Sequence, residues 1–131
     1  MKLADFILEN YSALEDYDRI KVETLLSVYK NNIIVIEDGD IRGLAIYLKL
    51  TDETLLKVEK RVIDLTVPEV INECFKENGR NIHFFLLIAD GYKTILKGIR
   101  SVVNQDVKSI SWFSKDMKQF FIRRNLCQHP L

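Results

Sequence analysis

The residues best placed to do chemistry lie where a long apolar run stops. Ile82-His83-Phe84-Phe85-Leu86-Leu87-Ile88-Ala89 is followed at once by Asp90-Gly91-Tyr92-Lys93-Thr94. A carboxylate at the end of a buried strand is either an acid, base or orienting group in a cleft, or the cap of the helix that follows. The backbone amides of Gly91, Tyr92 and Lys93 open that helix, and free amides at a helix start attract anions. His83 is a candidate general base, or else a partly buried histidine at the start of the strand. Seven strand residues separate it from Asp90, about 23 Å, so the two cannot form a dyad. Lys93, Lys97 and Arg100 either meet a phosphate or form the solvated face of a helix. Trp112 and Phe113 either stack on a ligand or fill the core. Phe120, Phe121, Arg123 and Arg124 mix aromatic and basic character, which suits nucleic acid or a closing sheet edge. The chain has no Ser-His-Asp order, no histidine pair at metal spacing and no glycine-rich phosphate loop. Cys74 and Cys127 stand far apart, Cys74 has no Cys or His at metal spacing, and Cys127 with His129 cannot make a metal site alone, so both read as buried reduced thiols.

These residues are positioned by a short series of elements. Ile82–Ala89 is apolar on both faces, as a central strand is. Ile95, Leu96, Ile99, Val102 and Val103 follow at helical spacing, and Val107–Phe113 is a weaker strand. Strand, helix and strand make a parallel unit whose mouth lies near Asp90 and Gly91. Upstream, residues 2–14 form an amphipathic helix through Leu3, Phe6, Ile7, Tyr11 and Leu14. A second runs from about Asp18 to Tyr29 through Ile20, Val22, Leu25, Leu26 and Tyr29, or the two are one long helix with a kink, and Asn31-Asn32 is the stop signal. Ile33–Glu37 is β-branched and reads as a strand. Asp38-Gly39 is a hairpin turn, and Ile41–Leu50 is the returning strand. Gly43 marks a bulge or a close backbone approach in it.

Thr51 then caps a helix through Leu55, Val58, Val62 and Ile63, with a strand over Leu55–Val58 as the rival reading. Pro68 opens another helix with Thr66 as its cap, Val70, Ile71, Cys74 and Phe75 as its buried stripe, and Gly79 as its end. The tail after Ser114 is a short helix or a last edge strand, fraying at Gln128-His129-Pro130. The expected fold is α+β, one domain over 1–131, with flanking helices and a mixed, mostly antiparallel sheet of about four to six strands.

Composition narrows the partners. Nineteen basic residues balance nineteen acidic ones, which argues against a dedicated nucleic-acid binder and against an anionic membrane surface. Absent charge repulsion, self-association into a homo-oligomer is easier. Asp5 and Glu9 interrupt the N-terminal apolar run, unlike a signal peptide, and no apolar stretch reaches spanning length. A cytoplasmic protein is expected.

The hairpin Ile-Ile-Val-Ile-Glu-Asp-Gly-Asp-Ile-Arg-Gly-Leu-Ala-Ile-Tyr resembles the second and third strands of the GCN5-related N-acetyltransferase superfamily, where an acidic-Gly turn precedes a strand with an early glycine. Ile82–Gln105 is similar to that superfamily's fourth strand and its pyrophosphate-binding helix, and Val107–Phe113 to its fifth strand. The resemblance covers about three quarters of the chain. It implies an acyl-CoA N-acyltransferase-like fold. Asp90 would be the catalytic group, and Gly91, Tyr92 and Lys93 would hold acetyl-CoA. The family's loop carries Arg or Gln, two residues, Gly, one residue, then Gly or Ala. Ala89-Asp90-Gly91-Tyr92-Lys93-Thr94 departs from it, with one glycine and a carboxylate where the pyrophosphate would lie. That departure implies a member of the short, divergent phage or prophage type, without cofactor and without metal, acting through contacts with another protein as an accessory or assembly factor. The alternative is an N-acyltransferase using acetyl-CoA or an acyl carrier.

Overall fold

The computed structural model describes residues 2–10 and 18–128. A five-stranded mixed sheet runs in the order β1 (Ile33–Asp38), β2 (Asp40–Leu50), β3 (Asn81–Ala89), β4 (Ser109–Phe113), β5 (Phe120–Arg123). Every neighbouring pair is antiparallel except β3 and β4. The chain is thus α+β, with helices on both faces of the sheet. Among the described residues, no helix is long and apolar enough to cross a membrane.

Alternation along β2 decides which helices lie where. Leu44, Ile46, Leu48 and Leu50 face a core shared with α1 (Leu3–Asn10), α2 (Arg19–Val28), α3 (Asp52–Glu59) and α4 (Pro68–Phe75). Ala45 and Tyr47 face the opposite core, beneath α5 (Tyr92–Val102), with Ile82, Phe84 and Ile110. Both faces are covered, so the central strands read as unbroken apolar runs. Gly39 takes φ 78° in the β1–β2 turn, as Asp-Gly hairpins require. β3 contains a bulge of its own. Leu86 pairs with Ile46 and Phe84 with Tyr47, leaving Phe85 as the extra residue. The bulge puts Phe85 and Leu86 on the same core face.

The segment between β2 and β3 departs from its periodicity. Thr51 caps α3, accepting from the Thr54 amide at 3.3 Å, and the strand alternative is ruled out. The helix does not reach Val62 and Ile63. It closes after Lys60, where Arg61 turns left-handed at φ 60°, Arg61 N donates to Val58 O and Val62 N donates to Lys57 O at 2.9 Å. This reciprocal pair of bonds is a Schellman stop, and an apolar pattern that continues past it cannot reveal it. Thr66 does not cap α4. Its hydroxyl and amide go to the Asp64 carboxylate, Val67 holds the cap position and Pro68 begins the helix. Gly79 lies beyond the end of α4. A side chain there would collide with the Leu50 carbonyl, so its smallness serves the passage into β3.

Tyr29 fastens this excursion to the sheet. It is fully buried, donates to Leu65 O at 2.9 Å and stacks on Phe85 with ring centroids 5.0 Å apart. Burial raises its phenol pKa far above the usual value. Two further expectations need adjustment. Ile20, expected on the buried stripe of α2, is 74% exposed. Cys127 is exposed, whereas Cys74 is buried and its thiol is pushed up to about 11 by burial. The proposed extension of the first helix through Tyr11 and Leu14, and the fraying at His129-Pro130, fall outside the described residues. The tail takes the strand alternative, as β5.

Candidate functional site

The mouth after β3 is built by two strands and a helix. Arg42 is the extra residue of a bulge in β2, because Gly43 pairs with Ile36 and Ile41 with Glu37. Its carbonyl accepts from the Asp90 amide at 2.9 Å, which fixes the turn out of β3. Gly43 lies under the first turn of α5. A Cβ there would stand 2.8 Å from Thr94 Cγ2 and 3.1 Å from Ile88 O. The close approach expected at Gly43 is therefore present, beside the bulge.

Asp90 does not cap α5 through its backbone amides. Gly91 holds the cap position in extended backbone, and no side chain accepts from the first amides. The Asp90 carboxylate instead accepts from Thr94 Oγ1 at 2.8 Å and lies 3.5 Å from Arg42 Nη1. A carboxylate beside the N-terminus of a helix is favoured by the helix dipole. Asp90, Gly91, Tyr92 and Lys93 are all exposed, Tyr92 at 74%. The electrostatics here are those of solvent, and the repulsion between Asp90 and an incoming anion is correspondingly screened. The structure adds Thr94 and Arg42 to the four residues of the loop. Thr94, four residues after Asp90 on a helix, was legible as a neighbour. Arg42 is brought by sheet register across 48 positions.

The other end of β3 has the opposite character. Asn81 and His83 project from it toward the four-helix side, and Ser109 and Ser111 project from β4 in register, as Asn81 pairs with Ser109 and His83 with Ser111. All four are buried. Ser109 Oγ donates to Asn81 Oδ1 at 2.6 Å, and Asn81 Nδ2 donates to Leu50 O at 3.1 Å and to the Asp52 carboxylate at 2.8 Å. Hydrogen bonds from Lys108, then Asn81, hold the Asp52 carboxyl below its usual pKa. His83 Nδ1 lies 2.9 Å from Ser111 Oγ. His83 is 1% exposed rather than partly buried, and burial lowers its pKa to about 3, so the ring is neutral at physiological pH. Ser111 is wholly buried, so its hydroxyl is not presented to solvent as a nucleophile. Sequence reasoning missed this two-rung ladder, although Asn-x-His and Ser-x-Ser in two parallel strands were its signal.

The remaining candidates are dispersed. Lys97 and Arg100 are exposed on α5. Trp112 is half-buried and packs on Phe121 with centroids 5.8 Å apart. Phe120–Arg123 closes the sheet as its last strand. Among the described residues, no three His, Cys, Asp or Glu side chains are grouped to hold a metal. No family model, no curated protein and no solved structure matches the chain.

Proposed function

We propose that this chain is a divergent protein of the acyl-CoA N-acyltransferase-like fold, of phage or prophage type, which acts through contacts with another protein and has given up the cofactor. Support for the fold comes from the element order: a hairpin with an acidic-Gly turn, then a parallel strand–helix–strand unit. Support for the loss of the cofactor rests on one observation. The Asp90 carboxylate stands beside the N-terminal end of α5, held by Thr94 and Arg42, and puts a negative charge where a diphosphate would lie. Contact with a partner is favoured by the outer edge of β5, which ends the sheet and carries Phe121 at 40% exposure. Such an edge offers unpaired backbone groups for strand addition.

A second reading, an N-acyltransferase using acetyl-CoA or an acyl carrier, is favoured by a different feature. β3 continues to Ala89, beyond its last paired position with β4 at Phe84–Trp112. The two strands are therefore unpaired beside the start of α5, which no side chain caps. Thermal denaturation with acetyl-CoA separates the readings. A ligand at a hundred times its Kd stabilises a fold by about 2.7 kcal/mol. The expected result is no shift at millimolar acetyl-CoA. Saturable binding in the micromolar range, weakened by Gly91→Val or Lys93→Glu, would establish the enzyme instead.

A further inference from the structure

We infer that the cavity between the α3–α4 connection and the β3–β4 junction binds a small, uncharged aromatic molecule of the phenol type, held by a hydrogen bond to His83 Nε2. The cavity measures about 350 Å³, within the range of small-molecule sites, about 300–1,000 Å³. Its floor is His83 with Phe85 and Phe113, and Val62, Ile63 and Met117 stand among its walls. The walls are built features. The Schellman stop of α3 throws Arg61 over the Phe113 ring, 4.8 Å from its centroid, and onto the Met117 carbonyl. Tyr29 holds Leu65, another lining residue, from below.

The polar complement of the cavity selects the ligand. Arg61 is engaged by Met117 O and Phe113, and Asp64 accepts from both the amide and the hydroxyl of Thr66. His83 uses Nδ1 for Ser111. Among the described residues, no buried side-chain nitrogen or oxygen lacks a partner. The sliver of accessible ring, 1% of the residue, therefore lies at Nε2 on the cavity floor. If the serine hydroxyl donates to Nδ1, Nε2 carries the hydrogen. If Nδ1 donates, Nε2 is an acceptor. A phenolic hydroxyl both donates and accepts, so it satisfies either tautomer. The ring is uncharged at neutral pH, so His83 itself offers a ligand charge no counter-charge, and burying a charge against it without a partner is costly. The aromatic floor, with Phe85 and Phe113 beside His83, suits an aromatic body.

The test uses 4-methylphenol and toluene as probes on the whole chain, read by thermal shift and by the ¹⁵N resonances of the His83 imidazole. The expected result is saturable 4-methylphenol binding at or below millimolar Kd that moves the Nε2 resonance, with toluene at least tenfold weaker. Val62 is 68% exposed at the rim, so Val62→Trp narrows the mouth without disturbing the core. It should weaken 4-methylphenol at least tenfold while leaving the melting temperature of the free protein unchanged. No saturable binding up to the solubility of the probes would overturn the assignment. So would binding that leaves the His83 resonances unmoved, equal affinity for toluene, or undiminished affinity in Val62→Trp.

Discussion

The two ends of β3 carry polar residues under opposite conditions. At the carboxyl end, Asp90 is charged, exposed and paired with Arg42 and Thr94 in solvent. At the amino end, Asn81 and His83 are 2% and 1% exposed, and their partners are buried serines one strand away. An exposed pair can exchange its partner for water at little cost, about 0–1 kcal/mol. A buried one cannot, because the abandoned atom has nothing to bond. The same strand is therefore tolerant of change where the sequence looks most chemical, and intolerant where it looks like core.

Acid should expose this contrast most strongly. His83 has its pKa lowered by burial to about 3, against an ordinary 6.5. The unfolded chain takes up this proton below pH 6.5, and the folded chain does not until near pH 3. The stabilising effect of the neutral ring is complete above pH 6.5 and is lost as the pH falls through the window. The loss is roughly 1.4 kcal/mol per pH unit, on the order of 5 kcal/mol in all. Urea titrations from pH 7 to pH 4 should show it, and His83→Leu should flatten that dependence whatever it does to stability at pH 7. An unchanged slope in that variant would remove His83 from the account.

Asn81→Ala comes next. It strands Ser109 and the Leu50 carbonyl in the core and should cost about 2–3 kcal/mol by equilibrium denaturation. A loss under about 0.5 kcal/mol would mean that the ladder is not sealed from water. A smaller effect is expected from Gly43→Ala, about 1–2 kcal/mol, because the new methyl crowds both the Thr94 side chain and the Ile88 carbonyl. A chemical-shift change at Thr94 and Asp90 should accompany it. Asp90→Asn should change stability least, by no more than about 0.5 kcal/mol. A cost above about 1 kcal/mol would show that the mouth is as tightly specified as the ladder, and the contrast between the two ends would fail.

The site was legible to different depths at these two ends. Asp90, Gly91, Tyr92 and Lys93 are neighbours in sequence, so any fold would have kept them together. Their exposure was not legible, since it depends on what the sheet and α5 leave uncovered. His83 was noticed as a titratable residue, but its complete burial and its serine partner depend on the parallel register of β4, reached after a helix. The cavity above it depends on where α3 stops, and the apolar spacing through Val62 and Ile63 pointed beyond that stop.

Local chemistry alone determined the Asp-Gly hairpin, the two-sided burial of β3 and the amphipathic α5. Each is written in residues within one or two turns of one another, where φ preference and periodicity act directly. Tertiary structure decided the left-handed stop at Arg61, the choice of strand for the tail, the pairing of Asn81 with Ser109 and of His83 with Ser111, and the room left above them. The two pairings join residues 28 positions apart, Arg61 meets Met117 across 56, and the tail strand pairs with β4, which is itself placed by β3. They are set by the register that buries the most apolar surface while leaving no polar group unpaired, a condition on the whole molecule that no local pattern contains.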